Sequence, residues 1–249
     1  MRHLWMAVLG LGLLAPQVSF TQQASEHWSY DGKTGPLNWG RLDPAYAACS
    51  HGKEQSPIDI RGAHLDKSLQ PIEFHYVAGS MTLLNNGHTV EVTPPAGSYI
   101  VVGGTHYDLV EFHFHHPGEE AVKGQLPDMD AHLVHKSADG KIAVIAVRLN
   151  EGPANALLAA LWPQLPKTVG ATGKTTELMS PAGLLPSDRG YWTYEGSLTT
   201  PPCTEGVRWF VMEQPVGLSR DQLRTFGALY KVDSRILQPT HGRKIEASE

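Results

Sequence analysis

A mainly β (α+β) fold in a single domain is predicted by this sequence, on three observations. Short runs rich in β-branched and aromatic residues recur along the chain, separated by scattered turn formers among its 25 Gly and 18 Pro. Asn85-Asn86-Gly87 between two such runs is a strong hairpin signal, because Asn and Gly accept the positive φ that a tight hairpin turn requires. Helix signatures are confined to two stretches, residues 153–162 and the run opening at Ser219.

Residues 1–21 read as a secretory signal. Arg2 and His3 give a basic start, residues 4–15 are an apolar run too short for an ordinary membrane span, and small residues follow. The mature chain, 22–249, is within the range of one large domain and contains no second long apolar stretch. It is 41% hydrophobic, enough to bury a sizeable core, and its net charge of −5 gives no basic footprint for nucleic acid. Cys49 and Cys203 are the only cysteines. In an exported protein such a pair is expected to form a disulfide, with two buried thiols as the alternative.

The aromatic, turn-rich residues 26–40 suit an irregular arm packed on the body, and Gln55-Ser56-Pro57-Ile58-Asp59-Ile60 marks the start of the core. Strands are expected at 72–77, 81–85, 88–93 and 99–102, with His88 opening the third after the Asn-Gly turn. Further strands are expected at 142–149 and 205–212. Proline near its start marks the helix at 153–162, and the capping box Ser219-Arg220-Asp221-Gln222 opens a second helix running to about Tyr230.

The chemistry is concentrated in Glu111-Phe112-His113-Phe114-His115-His116. Read as a strand, it points Glu111, His113 and His115 one way and two phenylalanines the other. Two imidazoles at i and i+2 can meet one cation, and a catalytic zinc needs a third ligand and an open position. His132, in Asp130-Ala131-His132-Leu133-Val134-His135, is the best third candidate. Pro117, Gly118, Gly124 and Pro127 suit a return loop between antiparallel strands.

Together with Tyr191-Trp192-Thr193-Tyr194 and Gly196-Ser197-Leu198-Thr199-Thr200-Pro201-Pro202, these stretches resemble the α-class carbonic anhydrases, most closely the bacterial exported branch, from about residue 28 to 247. The resemblance implies a large, twisted, mostly antiparallel central sheet with short peripheral helices. It implies Zn2+ on His113, His115 and His132, and reversible hydration of carbon dioxide by zinc-bound hydroxide. Thr199 would orient that hydroxide, Glu119 would accept the threonine's proton, and His88 would shuttle protons. Val134, Val144, Leu198, Val207 and Trp209 would form the apolar wall beside the metal, with Thr199 and Thr200 also at the substrate. Tyr30 and Asn86 would belong to the solvent network, and Cys49 with Cys203 would match the family's disulfide. Cis bonds are implied at Ser56–Pro57 and Pro201–Pro202. The expected partners are the small molecules carbon dioxide and bicarbonate; the expected location is periplasmic or secreted; a homodimer remains open.

The physical reading is consistent with this. Three neutral imidazoles leave zinc its charge, so that its bound water becomes acidic near neutrality, and an apolar substrate needs apolar walls. Three positions depart from the family's pattern: Glu111 where Gln is usual, Asp130 where Glu is usual, and Glu91 for Asn or Gln near the pocket mouth. Glu111 and Asp130 would hydrogen-bond ligand imidazoles from behind, and the Glu111 charge is expected to make the zinc water less acidic. His113, His115 and Glu119 also match a cupin-type oxygenase run, but the fourth histidine of that pattern is not found. A non-enzymatic relative would have lost a ligand, and none is missing.

Overall fold

In the computed structural model, which describes residues 27–248, the two histidine-bearing strands lie side by side in the middle of a 13-stranded sheet. The expected signal segment falls outside the described residues. The strands are β1 (Asp59–Ile60), β2 (His64–Leu65), β3 (Glu73–His75), β4 (Thr82–Asn85), β5 (Val90–Thr93), β6 (Tyr99–Val102), β7 (Thr105–His115), β8 (Ala121–Val122), β9 (Met129–Ser137), β10 (Ile142–Glu151), β11 (Thr172–Lys174), β12 (Tyr191–Ser197), β13 (Glu205–Met212), β14 (Val216–Leu218) and β15 (Glu246–Ala247). The short helices are α1 (Trp39–Leu42), α2 (Ala48–His51), α3 (Ala156–Leu161) and α4 (Arg220–Gly227). The main path runs β11-β4-β5-β7-β9-β10-β13-β12-β15-β2. Most neighbours are antiparallel, but β10 pairs parallel with β13 and β14, and β15 with β2, so the sheet is mixed. No helix among the described residues is long and apolar enough to cross a membrane.

A bulge in β7 sets which side chains reach the site. Leu109 pairs with His135 and Glu111 with Val134, leaving Val110 as the extra, exposed residue. Before the bulge Tyr107 and Leu109 face the larger core; after it Phe112 and Phe114 do. The extra residue shifts the alternation by one, which leaves Glu111, His113 and His115 on the opposite face. Behind the sheet, Phe114 meets Trp162 edge-on at 5.0 Å and Phe226 at 5.9 Å, beside Leu157, Leu158 and Leu161 of α3. Each such buried side chain contributes about 1.5–3 kcal/mol.

Both helices are shorter than the sequence suggests. The Asn155 side chain accepts the Leu158 N–H at 3.0 Å, so α3 starts at Ala156, past Pro153. It tightens into a 3-10 turn over Trp162–Gln164, where Pro163 offers no N–H. The α4 capping box forms as read: Ser219 Oγ accepts the Gln222 N–H, and Gln222 Oε1 accepts the Ser219 N–H at 2.9 Å. Gln222 also donates to the Asn155 carbonyl at 2.7 Å, which joins the two helix starts.

The hairpin of β4 and β5 closes as expected, with Gly87 at φ +90°. Asn86 Oδ1 accepts the N–H groups of His88 and Thr89, so His88 sits in the turn and the strand begins later, at Val90. The arm packs Trp28, Tyr30 and Trp39 against the Cys49–Cys203 disulfide. The Ser56–Pro57 and Pro201–Pro202 bonds are cis, as is His116–Pro117, which the sequence did not suggest.

On the core side of β9, His135 is buried, with Nε2 2.9 Å from the Tyr76 hydroxyl, and burial pushes its pKa down to about 3. A base whose folded pKa lies below its unfolded value near 6.5 stabilises fully above pH 6.5, and that contribution is lost as the pH falls toward 3. His135→Gln removes this titration. Urea denaturation at pH 7, 5 and 4 should show wild-type stability falling more steeply than that of the variant, by a few kcal/mol over the window. Parallel pH profiles would contradict it.

Candidate metal centre and substrate wall

The antiparallel register places His113 directly opposite His132. The three expected ligand rings stand with centroids 4.7–5.4 Å apart. In each ring one nitrogen is already engaged. His113 Nδ1–H donates to both Glu111 carboxylate oxygens at 2.9 and 3.0 Å. His115 Nδ1–H donates to the Asp233 carbonyl at 2.7 Å, and His132 Nε2–H to Glu120 Oε2 at 3.0 Å. The remaining atoms are His113 Nε2, His115 Nε2 and His132 Nδ1, and the three residues offer donor atoms within 4.8 Å of one another. His115 Nε2 is buried with no hydrogen-bond partner, which a buried polar nitrogen tolerates poorly unless something binds it. Three convergent imidazole nitrogens suit zinc.

Glu111 therefore lies where the sequence puts it, behind His113. Asp130 does so less directly: its Oδ2 is 3.4 Å from His132 Nε2 and accepts the Glu119 N–H at 2.6 Å. Glu120, not singled out by the sequence reading, makes the closer contact. Burial opposes charge on His132, but the Asp130 and Glu120 carboxylates outweigh it and hold the ring's pKa well above the usual value. Burial together with the neighbouring His132 pushes His115 the other way. Glu91, on β5 beside β7, is raised by burial and then by the Glu111 carboxylate.

Glu119 Oε1 accepts the Arg235 N–H at 2.6 Å, while its Oε2 is buried without a hydrogen-bond partner, 3.7 Å from His115 Nε2. Thr199 is buried on the 198–204 loop, and no hydrogen bond joins it to Glu119. That loop is closed by Leu198 N–H to Thr204 O at 2.9 Å and by the disulfide at Cys203. Arg235 also donates to the carbonyls of Ser56 and Cys49, tying the arm to the site. The contacts of Asp233 with His115 and of Arg235 with Glu119 are made through main-chain atoms, which no side-chain motif announces.

All five expected wall residues fall in one apolar cluster. Val144 pairs with Val134 on one side and Trp209 on the other, Val207 pairs with Ile142, and Leu198 packs against the group. The Trp209 ring is 4.9 Å from that of His132, so apolar wall and histidines adjoin. Gly196 admits this packing, since a Cβ there would lie 2.8 Å from Trp209 and 2.2 Å from Ser56 Oγ.

His88 stacks on Trp28 with ring centroids 3.6 Å apart and on His27 at 5.0 Å. Burial, and then His27, push its pKa down to about 4, below the ordinary value that the sequence reading assumes. Tyr30 has its hydroxyl buried without a partner, and Asn86 braces the turn that carries His88.

A family model described as eukaryotic-type carbonic anhydrase matches residues 34–249. A carbonic anhydrase of Klebsiella pneumoniae is 42% identical over 224 residues, covering 89% of this chain and 91% of that protein. One of Pectobacterium carotovorum is 38% identical over 231 residues, covering 92% and 94%. Among solved structures, an α-carbonic anhydrase from Thermovibrio ammonificans in complex with the inhibitor sulfanilamide superposes with a TM-score of 0.86 at 41% identity, over 88% of this chain and 98% of that one. The chain belongs to the eukaryotic-type, or α, carbonic anhydrase family, and it is a carbonic anhydrase, an enzyme of carbon dioxide hydration.

Proposed function

We propose that this enzyme works with one zinc ion held by His113, His115 and His132, and that Thr199, Glu119 and His88 serve the reaction around it. The observation that carries this reading is the set of three imidazoles, each with its second nitrogen fixed by Glu111, the Asp233 carbonyl or Glu120. Bound zinc supplies a Lewis acid that makes water acidic enough to serve as a nucleophile near neutral pH, carbonic anhydrase being the reference case for that effect. The chain's own residues do the rest. Val134, Val144, Leu198, Val207 and Trp209 hold an apolar, uncharged substrate beside the histidines, with Thr200 at the edge of the loop. Thr199 offers a hydroxyl, and the unpartnered Glu119 Oε2 is the acceptor available to it when the loop side chain turns inward. Elemental analysis of the purified protein tests the cofactor: one zinc per chain supports the reading, and iron or no metal contradicts it.

His88 accepts the proton that hydration releases and passes it to solvent past His27. Burial and then His27 hold the ring neutral and make it a weak base, it stacks on Trp28, and Tyr30 and Asn86 flank it. His88→Ala is expected to slow hydration most in weak buffer, with recovery on adding imidazole. An unchanged rate in weak buffer would remove His88 from the path.

Glu111 places a carboxylate against His113, where an amide would be a neutral acceptor. That negative charge opposes creation of an anionic nucleophile at the metal. Glu111→Gln is therefore expected to shift the rise of the pH–rate profile to lower pH. An unmoved midpoint, or one moved upward, would contradict this.

The Cys49–Cys203 disulfide supports an exported, periplasmic or secreted location, because such bonds persist in oxidising compartments. Residues 1–21 would be the leader and 22–249 the catalytic domain.

A further inference from the structure

We propose that Glu120 is the positioning residue that aims His132 at the metal, a task for which Asp130 is too short. This rests on the zinc reading above.

The chain contains its own comparison. Glu111 stands two residues before His113, on the same strand face, and reaches His113 Nδ1 with both oxygens at 2.9 and 3.0 Å. Asp130 stands two residues before His132 in the same relation on β9, but its side chain is one methylene shorter. It stops 3.4 Å from His132 Nε2, and that same Oδ2 is committed to the Glu119 N–H at 2.6 Å. The closer partner is Glu120 Oε2, at 3.0 Å. Its carboxylate comes from a different segment, just ahead of β8.

The backbone there is fixed. The Ala121 N–H donates to the Ile58 carbonyl at 3.2 Å, and β8 pairs with β1 in the register Asp59 opposite Ala121. Glu120 and His132 are both buried, so neither is free to find another partner in solvent. An acceptor at Nε2 keeps the proton on that nitrogen and leaves the Nδ1 lone pair pointing between His113 and His115. The opposite tautomer would set a nitrogen lone pair against carboxylate oxygens and turn an N–H toward the metal position. Glu120 thus takes over the role that the sequence reading gave to Asp130. Asp130 is left to accept the Glu119 N–H, while Glu119 Oε1 accepts the Arg235 N–H.

The test uses the full zinc-loaded chain and the variants Glu120→Gln, Glu120→Ala and Asp130→Asn. Two quantities are read: the rate of zinc loss to an excess of chelator, and the ring nitrogen NMR signals of His132 in the zinc-stripped protein. Glu120→Ala should speed zinc loss about 10–100-fold, the range typical for losing a partner behind a ligand imidazole. Asp130→Asn should speed it less. At a pH high enough for the ring to be neutral, wild-type His132 should carry its proton on Nε2, Glu120→Ala should populate both tautomers, and Glu120→Gln, with an amide oxygen in place, should restore most of the wild-type behaviour. Zinc loss and tautomer both unchanged in Glu120→Ala would overturn the proposal. So would a larger effect from Asp130→Asn, or two zinc ions per wild-type chain falling to one in Glu120→Ala, which would make the Glu120–Asp130–His132 group a second metal site. If wild type binds no zinc, the zinc reading fails, while the tautomer in the metal-free chain still decides the role of Glu120.

Discussion

His132→Ala is expected to leave the protein without stoichiometric zinc and without measurable acceleration of carbon dioxide hydration. Two histidines of one strand cannot by themselves complete a three-nitrogen site, and β9 supplies the third. The loss should exceed the roughly 100-fold that removing a partner behind a ligand can cost. Stability should fall as well, because Glu120 would lose its hydrogen-bonded ring while buried. His132→Gln, closer in volume, separates the two effects: it should keep most of the fold and still fail to hold zinc tightly. Full metal content and full activity in either variant would show the ligand assignment to be wrong.

The second large effect is expected from the disulfide. Cys49 and Cys203 are 154 residues apart in sequence, and a cross-link over such a loop stabilises by up to about 5 kcal/mol in the chain-entropy view, with measured values often lower. The bond also anchors, at Cys203, the loop carrying Thr199 and Thr200, whose two ends are joined by the Leu198–Thr204 hydrogen bond. The double variant Cys49→Ser/Cys203→Ser should therefore unfold at lower urea, by an amount corresponding to 2–5 kcal/mol. It should also lose hydration activity under conditions where it is still folded. Equal midpoints for oxidised and reduced wild-type protein would contradict the first claim, and full activity in the folded double variant the second.

Much of the site was legible because a strand has an exact side-chain period. Once residues 111–116 are read as a strand, His113 and His115 share a face without further information, and His132 follows from a second strand joined by a turn-rich loop. The apolar wall could be named only through the family resemblance, since Val134, Val144, Val207 and Trp209 meet across β9, β10 and β13, which are distant in sequence. The bulge at Val110 left no mark in composition. A strict alternation through Leu109 would have put that residue on the histidine face, where it is not.

Other features were out of reach for different reasons. Asp233 accepts from His115 through its main-chain carbonyl, which any residue would provide. Glu120 had a visible sign, a second acid beside Glu119 in the return loop, but nothing local says which acid turns toward His132. His88 was expected to open a strand but sits in the Asn-Gly turn, and its contact with Trp28 is long-range, so the drop of its pKa to about 4 could not be read. Helix ends were overrun because the capping Asn155 lies inside the apparent helical run.

The most direct test of zinc-dependent hydration is a carbon dioxide hydration assay on the purified protein before chelation, after chelation, and after return of zinc. One zinc per chain, loss of activity on its removal and recovery in proportion to the zinc restored are the expected results. Hydration that persists at its full rate in metal-free protein would contradict the assignment of His113, His115 and His132 as the centre of the reaction.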